Sequence, residues 1–157
     1  MITFTGNYPC RVDGKGRLLF PAGLKRQMGT NAQERFVVRK DIFNKCLDIY
    51  PWEEWEIQIK KLRSRLNPYN REHDNFLIEF HKGTADISFD TSGRILIPKW
   101  LLDWAGIGSG DITLVGQDSR IQLWATNVYE GRTMSEDEFA SLAEKLLGNQ
   151  TFPEEDK

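Results

Sequence analysis

The chain has 157 residues, of which 39% are hydrophobic and 11% aromatic, and a formal net charge of −2. That is enough apolar material for the packed core of one compact unit or two small lobes, which excludes wholesale disorder. No apolar run approaches the roughly 18 residues a membrane span needs, and the start "MITFTGNYPCR" lacks the basic and apolar regions of an export signal, so a cytoplasmic protein without a membrane partner is expected.

Charge is distributed unevenly along the chain. Residues 1–50 carry nine Lys/Arg against four Asp/Glu, a net of +5, and residues 51–75 balance at five each. Residues 76–129 net −2 and residues 130–157 net −5. A basic front and an acidic end leave room for an anionic partner despite the overall sign. Cys10 and Cys46 are the only cysteines, too few and too far apart for a zinc ribbon or a disulfide framework, and they read as reduced thiols packed like small apolar side chains.

In chain order, "YPCRV" reads as a short strand, and Asp13-Gly14-Lys15-Gly16-Arg17 as a tight loop in which Gly16 supplies a positive φ. "RLLF" is an apolar run of strand length. Pro21 fits the first position of a helix, where its missing N–H costs nothing, and Gly29 fits that helix's C-terminal cap. "RFVVRK" and "CLDIY" then form a strand pair. Trp52, Trp55, Ile59, Leu62 and Leu66 step by three and four along one helix face. Asn67-Pro68 breaks that helix, and a second one is predicted from about Tyr69 to Lys82.

The chain then repeats itself. "ADISF", a loop over Asp90-Thr91-Ser92-Gly93-Arg94, "RILI", Pro98, a short helix to Gly106, "ITLVG" and "IQLW" follow in the order of the first set. Residues 13–29 align with 90–106 without a gap, with 7 of 17 positions identical: Asp13/Asp90, Gly16/Gly93, Arg17/Arg94, Leu19/Leu96, Pro21/Pro98, Leu24/Leu101 and Gly29/Gly106. Ordinary residue usage gives roughly one such match by chance, so these are two copies of one module. A last helix is predicted where Ser135 and Glu138 make a capping box ahead of Phe139, Leu142, Ala143, Leu146 and Leu147, with Gly148 ending it. The organisation is a first module over 4–50, a helical extension over 51–83, a second module over 84–125, a second helical extension over 126–148, and a solvated tail over 149–157. The expected class is α+β.

An Arg placed just after a glycine loop is presented on a fixed stalk, and its planar fork matches guanine O6 and N7. Lys15 suits point-charge contact with phosphate. Asp13 and Asp90, four residues before their arginines, are placed to orient the guanidinium; a direct role with DNA and simple capping of the turn are equal alternatives for them. The span from loop to cap carries Lys15, Arg17, Lys25 and Arg26 against Asp13 in the first copy, a net of +3; Arg94 and Lys99 are balanced by Asp90 and Asp103 in the second. The first copy should supply most of the electrostatic affinity. Lys25 and Arg26 also admit the plain reading of a solvated helix face.

Asp-x-x-Gly-Arg, an aliphatic strand, Pro and a short amphipathic helix resemble the AbrB-like swapped-hairpin DNA-binding module. Two copies in one chain, with "CLDIYPWEEWE" after the first and "GRILIP" in the second, resemble the MraZ family of bacterial transcriptional regulators over about residues 4–147. The resemblance implies two pseudo-symmetric AbrB-like modules whose strands interleave in one small double-layered sheet or barrel, with helices alongside and both loops on one side. It further implies a nucleoid-associated protein that binds double-stranded DNA at short direct repeats. Those repeats lie upstream of its own operon, in a division and cell-wall gene cluster, and the protein assembles into ring-shaped homo-oligomers. The signature falls on Asp13 with Arg17 and on Asp90 with Arg94, flanked by Gly16 and Gly93. The second loop departs from the family in reading Thr91-Ser92 where a Lys and a polar residue are usual, which implies weaker phosphate binding there.

Two other classes compete. An AbrB-like antitoxin, or an oligomeric scaffold, would use the same fold with a different partner. An enzyme finds little support: His73 and His81 are eight apart and lack the H-E-x-x-H spacing, and no nucleophile elbow, P-loop or dinucleotide fingerprint occurs. His73 reads as a packed histidine. No cofactor and no metal site is expected.

Overall fold

The computed structural model describes residues 2–29, 34–108 and 110–148. The tail predicted over 149–157 lies outside the described residues.

The first set of elements is β1 (Asn7–Val12), β2 (Arg17–Leu19), α1 (Ala22–Gln27), β3 (Arg35–Lys40) and β4 (Leu47–Pro51). Helices α2 (Trp52–Arg65) and α3 (Arg71–Lys82) follow. The second set is β5 (Thr84–Ser88), β6 (Arg94–Leu96), α4 (Lys99–Trp104), β7 (Gly110–Gln117) and β8 (Arg120–Ala125), followed by α5 (Thr126–Glu130) and α6 (Glu136–Ala143). The fold is α+β, as the sequence predicts.

Six strands form one sheet in the order β1-β7-β8-β4-β3-β5, with every neighbour antiparallel. Exchanging the strands of one repeat for those of the other reads the same order backwards. β1 therefore pairs with β7 and β5 with β3, so each repeat donates its first strand to the other repeat's side of the sheet. The exchange converges on β4 and β8, where Asp48 stands opposite Gln122. The short strands β2 and β6 form a separate two-stranded antiparallel ribbon.

Side chains alternate across a strand, so the sheet has two distinct faces. Phe36, Val38, Leu47, Ile49, Ile112, Leu114, Ile121 and Leu123 make the fully buried face of the main core. Leu18 and Ile95 of the ribbon, Leu24 of α1 and Leu101 of α4 close over it. The opposite face carries a smaller cluster in which Val37 and Tyr50 pack under Trp55 and Ile59 of α2. The three-and-four stripe of α2 thus faces the sheet as expected, with Trp52 and Leu62 packed against the same cluster.

Several boundaries differ from the sequence reading, each for a local reason. Pro21 and Pro98 precede their helices as cap residues, with ψ of 135 and 135, and are not the first helical residues. Their extended ψ turns the chain from strand into helix, while the ring fixes only φ. Helix α3 begins at Arg71 and not at Tyr69, because the Asn70 side chain accepts the amides of Glu72 and His73 and sets the start there. His73 is half-buried, and its Nδ1 accepts the Asn67 amide at 2.9 Å, so it ties down the turn between α2 and α3 where a packed core role was expected. Ser135 does cap α6, accepting the Glu138 amide at 3.1 Å. That helix stops at Ala143, however, and Glu144–Gly148 is a single wide π turn. The extension over 126–148 is also split, since α5 ends at Glu130.

Candidate nucleic-acid interface

Each repeat folds its Asp-x-x-Gly-Arg loop the same way. In the first, Gly16 donates to the Asp13 carbonyl at 3.0 Å, and the Asp13 amide donates to the Arg17 carbonyl at 3.0 Å. The Asp13 carboxylate fills the concave side of the turn. Its Oδ1 accepts the amides of Lys15 and Arg17, both at 2.9 Å, and its Oδ2 accepts Arg17 Nε at 2.8 Å. In the second, Gly93 donates to the Asp90 carbonyl at 3.2 Å, and Asp90 Oδ1 accepts the amides of Ser92 at 2.8 Å and Arg94 at 2.9 Å. The Arg17 amide is the main cause holding the Asp13 carboxyl below the usual carboxylate range, and the Arg94 amide does the same for Asp90. In the first copy one carboxylate therefore both caps the turn and binds the guanidinium.

The copies are not equivalent in detail. Arg94 Nε lies 3.3 Å from Asp90 Oδ2 but makes no hydrogen bond, so this guanidinium is the less firmly held of the two. Gly16 and Gly93 both take a positive φ, +87° and +75°. A Cβ on Gly16 would sit 2.6 Å from the Ile97 carbonyl oxygen, whereas around Gly93 there is open space. The close approach at Gly16 comes with a bond between the copies, since Ile97 donates to the Gly16 carbonyl at 2.8 Å.

The ribbon is what brings the two signatures together. Arg17 pairs with Leu96, Leu18 with Ile95, and Leu19 with Arg94. Leu18 and Ile95 point inward and are buried, so Arg17, Leu19, Arg94 and Leu96 share the outward face. At strand spacing, the two arginine Cα atoms stand roughly 8 Å apart. The two loops each lead into one strand of the ribbon. Antiparallel pairing puts them at opposite ends of the ribbon, and the shared feature is its face.

Lysines from one repeat reach the loop of the other. Lys15 and Lys99 line one small hollow with Asp13 and Gly16, and Lys25 Nζ lies 4.9 Å from the ring centre of Phe89, just before the second loop. Lys15, Lys25, Arg26 and Lys99 are all exposed, and Lys25 and Arg26 lie in the last turn of α1. Two residues were not singled out in the sequence: Leu19 and Leu96, 65% and 55% exposed on the arginine face. Their identity between copies was visible, but an aliphatic residue in a strand reads as core until pairing fixes its side.

Among the described residues, Asp41, Cys46 and Asp48 bring ligand-type atoms close together. Burial pushes the Cys46 thiol up, and Arg120 already pairs with both carboxylates, 3.4 Å from Asp48 and 3.9 Å from Asp41.

With this geometry in place, similarity to known proteins is specific. The family model described as "MraZ protein, putative antitoxin-like" matches residues 3–77 and 80–149. A protein named Transcriptional regulator MraZ from Christiangramia forsetii is 39% identical over 154 residues, covering 97% of each chain. The proteins of that name from Bacteroides thetaiotaomicron and Desulfitobacterium hafniense are 38% and 36% identical, covering 96% and 92% of this chain and 96% of each relative. No helix among the described residues is long and apolar enough to cross a membrane. On near full-length similarity and a family match to both halves, this chain belongs to the MraZ family.

Proposed function

We propose that this chain is a sequence-specific, double-stranded-DNA-binding transcriptional regulator built from two AbrB-like modules. The observation that carries this reading is the ribbon face: two arginines, each held by an aspartate of a glycine loop, presented side by side on one antiparallel pair. A B-DNA major groove admits a two-stranded β-ribbon, and Arg is the side chain that reads guanine O6 and N7. Arg17 and Arg94 are the base readers. Lys15, Lys25, Arg26 and Lys99 neutralise backbone phosphate around them, and Leu19 and Leu96, each opposite an arginine, supply apolar contact on the same face. Asp13, Gly16, Asp90 and Gly93 hold the arginines in position.

The targets in this reading are short direct repeats upstream of the chain's own operon, in a division and cell-wall gene cluster, which gives a cytoplasmic, nucleoid-associated protein. One ribbon covers few base pairs, so a homo-oligomeric ring matching a series of repeats gains affinity by multivalency. Apolar side chains left outside the fold support assembly: Phe76 and Ile78 on α3, and Phe139, Leu142, Leu146 and Leu147 toward the end. Footprinting on the DNA upstream of the protein's own coding sequence tests the proposal. Protection of regularly spaced short repeats by wild type, lost with Arg17→Ala, is the expected result. Binding that ignores sequence, or that survives Arg17→Ala unchanged, would overturn it.

A further inference from the structure

On the sheet face turned away from the main core, α2 and α3 leave a pocket of about 630 Å³ over β3, β4 and β8. That volume falls within the range of small-molecule sites, roughly 300–1,000 Å³. Its floor holds Asp48 and Arg120, and Asp41 lies beside them at the end of β3. The apolar wall is Trp55 stacked on Phe80, with ring centres 5.9 Å apart and planes within 11°. Arg39 lies over the Phe80 ring, its Cζ 3.7 Å from the ring centre.

The charges are not balanced. Arg39, Lys61, Arg65 and Arg120 line the pocket against the two carboxylates Asp41 and Asp48. Asp48 is pushed up to about 7 by burial, with Arg120 opposing, so near neutrality this pair carries less than its two formal charges. Asp41 faces the other way as well, accepting the amides of Phe43 at 3.0 Å and Asn44 at 2.7 Å. Arg120 Nε is buried, 3.4 Å from Asp48 Oδ1, and makes no hydrogen bond. A guanidinium whose buried Nε makes no hydrogen bond, beside an aromatic wall and under two exposed cations, is a recognisable set of parts.

We propose that this pocket is a second binding site, for a small organic anion whose carboxylate or phosphate is taken by Arg120, Lys61 and Arg65 and whose apolar body lies on Trp55 and Phe80. The site is separate from the arginine ribbon, which lies across the main core, so it stands or falls independently of the DNA reading.

Calorimetric titration of the full-length protein with phenyl phosphate tests this, with inorganic phosphate as the probe lacking an apolar body. Lys61 and Arg65 are exposed on α2, so Lys61→Glu/Arg65→Glu leaves the fold intact, as circular dichroism would verify. One saturable phenyl phosphate site per chain is expected, weakened about tenfold or more by the charge reversal, with inorganic phosphate about tenfold weaker than phenyl phosphate on wild type. Arg17→Ala/Arg94→Ala should bind phenyl phosphate like wild type. Absence of saturation up to about 10 mM, equal affinity for the two probes, or loss in the Arg17→Ala/Arg94→Ala variant would overturn the proposal.

Discussion

Asp48 stands opposite Gln122 at the centre of the six-stranded sheet, where the exchange of the two repeats maps each residue onto the other. The same position thus holds a carboxyl in one repeat and an amide in the other. Gln122 Nε2 donates to Asp48 Oδ1 at 3.5 Å, and Trp124 Nε1 donates to Gln122 Oε1 at 3.1 Å. The carboxyl is buried, 4% exposed, and lies close to that of Asp41.

Stability should therefore fall as pH rises through neutrality. Burial is the main cause raising Asp48 from its ordinary 3.8 to about 7; Arg120 opposes it and Asp41 adds to it. Between those two values the folded chain holds a proton that the unfolded chain releases, so this stabilisation is complete below about 3.8 and lost as pH climbs through about 7. Asp41, where burial raises the carboxyl but hydrogen bonds hold it below its usual value, works in the opposite sense: its contribution is complete above its unfolded value and is lost as pH falls through the folded one. Asp48→Asn keeps a neutral group that donates to Asp41 and accepts from Gln122. It should raise stability at pH 8 by about 2 kcal/mol and flatten the profile between pH 5 and 8. Urea melts across that range decide it; a variant less stable than wild type at pH 8 would show that the ionised pair is the favoured state.

Gly16 and Gly93 occupy the same loop position and should respond differently to Ala. Both need the left-handed region, which costs an L-residue about 1–2 kcal/mol. Only at Gly16 does the new methyl meet backbone, the Ile97 carbonyl oxygen at 2.6 Å. Gly93→Ala should cost about 1–2 kcal/mol and Gly16→Ala clearly more, about 3 kcal/mol or above, because the ribbon must shift. Equal losses in thermal melts would mean that the contact relaxes freely.

Assembly should follow from the exposed apolar side chains of the helical extensions. Phe139 is 66% exposed and Leu147 59%, and no residue of α6 is buried. Light scattering should give a homo-oligomer at micromolar concentration, and Phe139→Ser/Leu146→Ser should shift it toward smaller species without lowering the melting temperature of the core. A monomeric wild type would contradict this.

The repeat made much of the fold legible. Identity at Asp, Gly, Arg and Pro located both loops, both ribbon strands and both short helices, because each of those residues performs a backbone task that few others can. The apolar stretches in "RFVVRK" and "IQLW" located strands but not their partners, since pairing is non-local and nothing in β1 names β7 as its neighbour. The same limit hid the second face. Asp48, Asp41 and Arg120 look like surface charges in sequence, and only the β4–β8 register buries them together. At the ribbon, the sequence offers both arginines but not their relation: antiparallel pairing puts the loops at opposite ends while placing Arg17 and Arg94 on one face.

The difference between the two loops should be measurable as a difference between base reading and phosphate binding. The first loop offers Lys15 and holds Arg17 by a 2.8 Å bond to Asp13; the second offers Thr91 and Ser92 and holds Arg94 without a hydrogen bond to its Nε. Each phosphate contact made by a cation releases counterions, so the slope of log K against log salt changes by about 0.9 per contact. Lys15→Ala should flatten that slope and weaken all sequences alike. Arg17→Ala should remove discrimination, at about 1–3 kcal/mol per subunit and more in an oligomer. Arg94→Ala should lower specificity more than slope, with a smaller affinity loss than Arg17→Ala, because its guanidinium is less firmly fixed and gives up less on removal. Fluorescence anisotropy titrations of the three variants, on operator and on unrelated DNA over a range of salt, separate these effects. A larger loss from Arg94→Ala than from Arg17→Ala, or an unchanged slope in Lys15→Ala, would mean that the first repeat is not the dominant half of the ribbon.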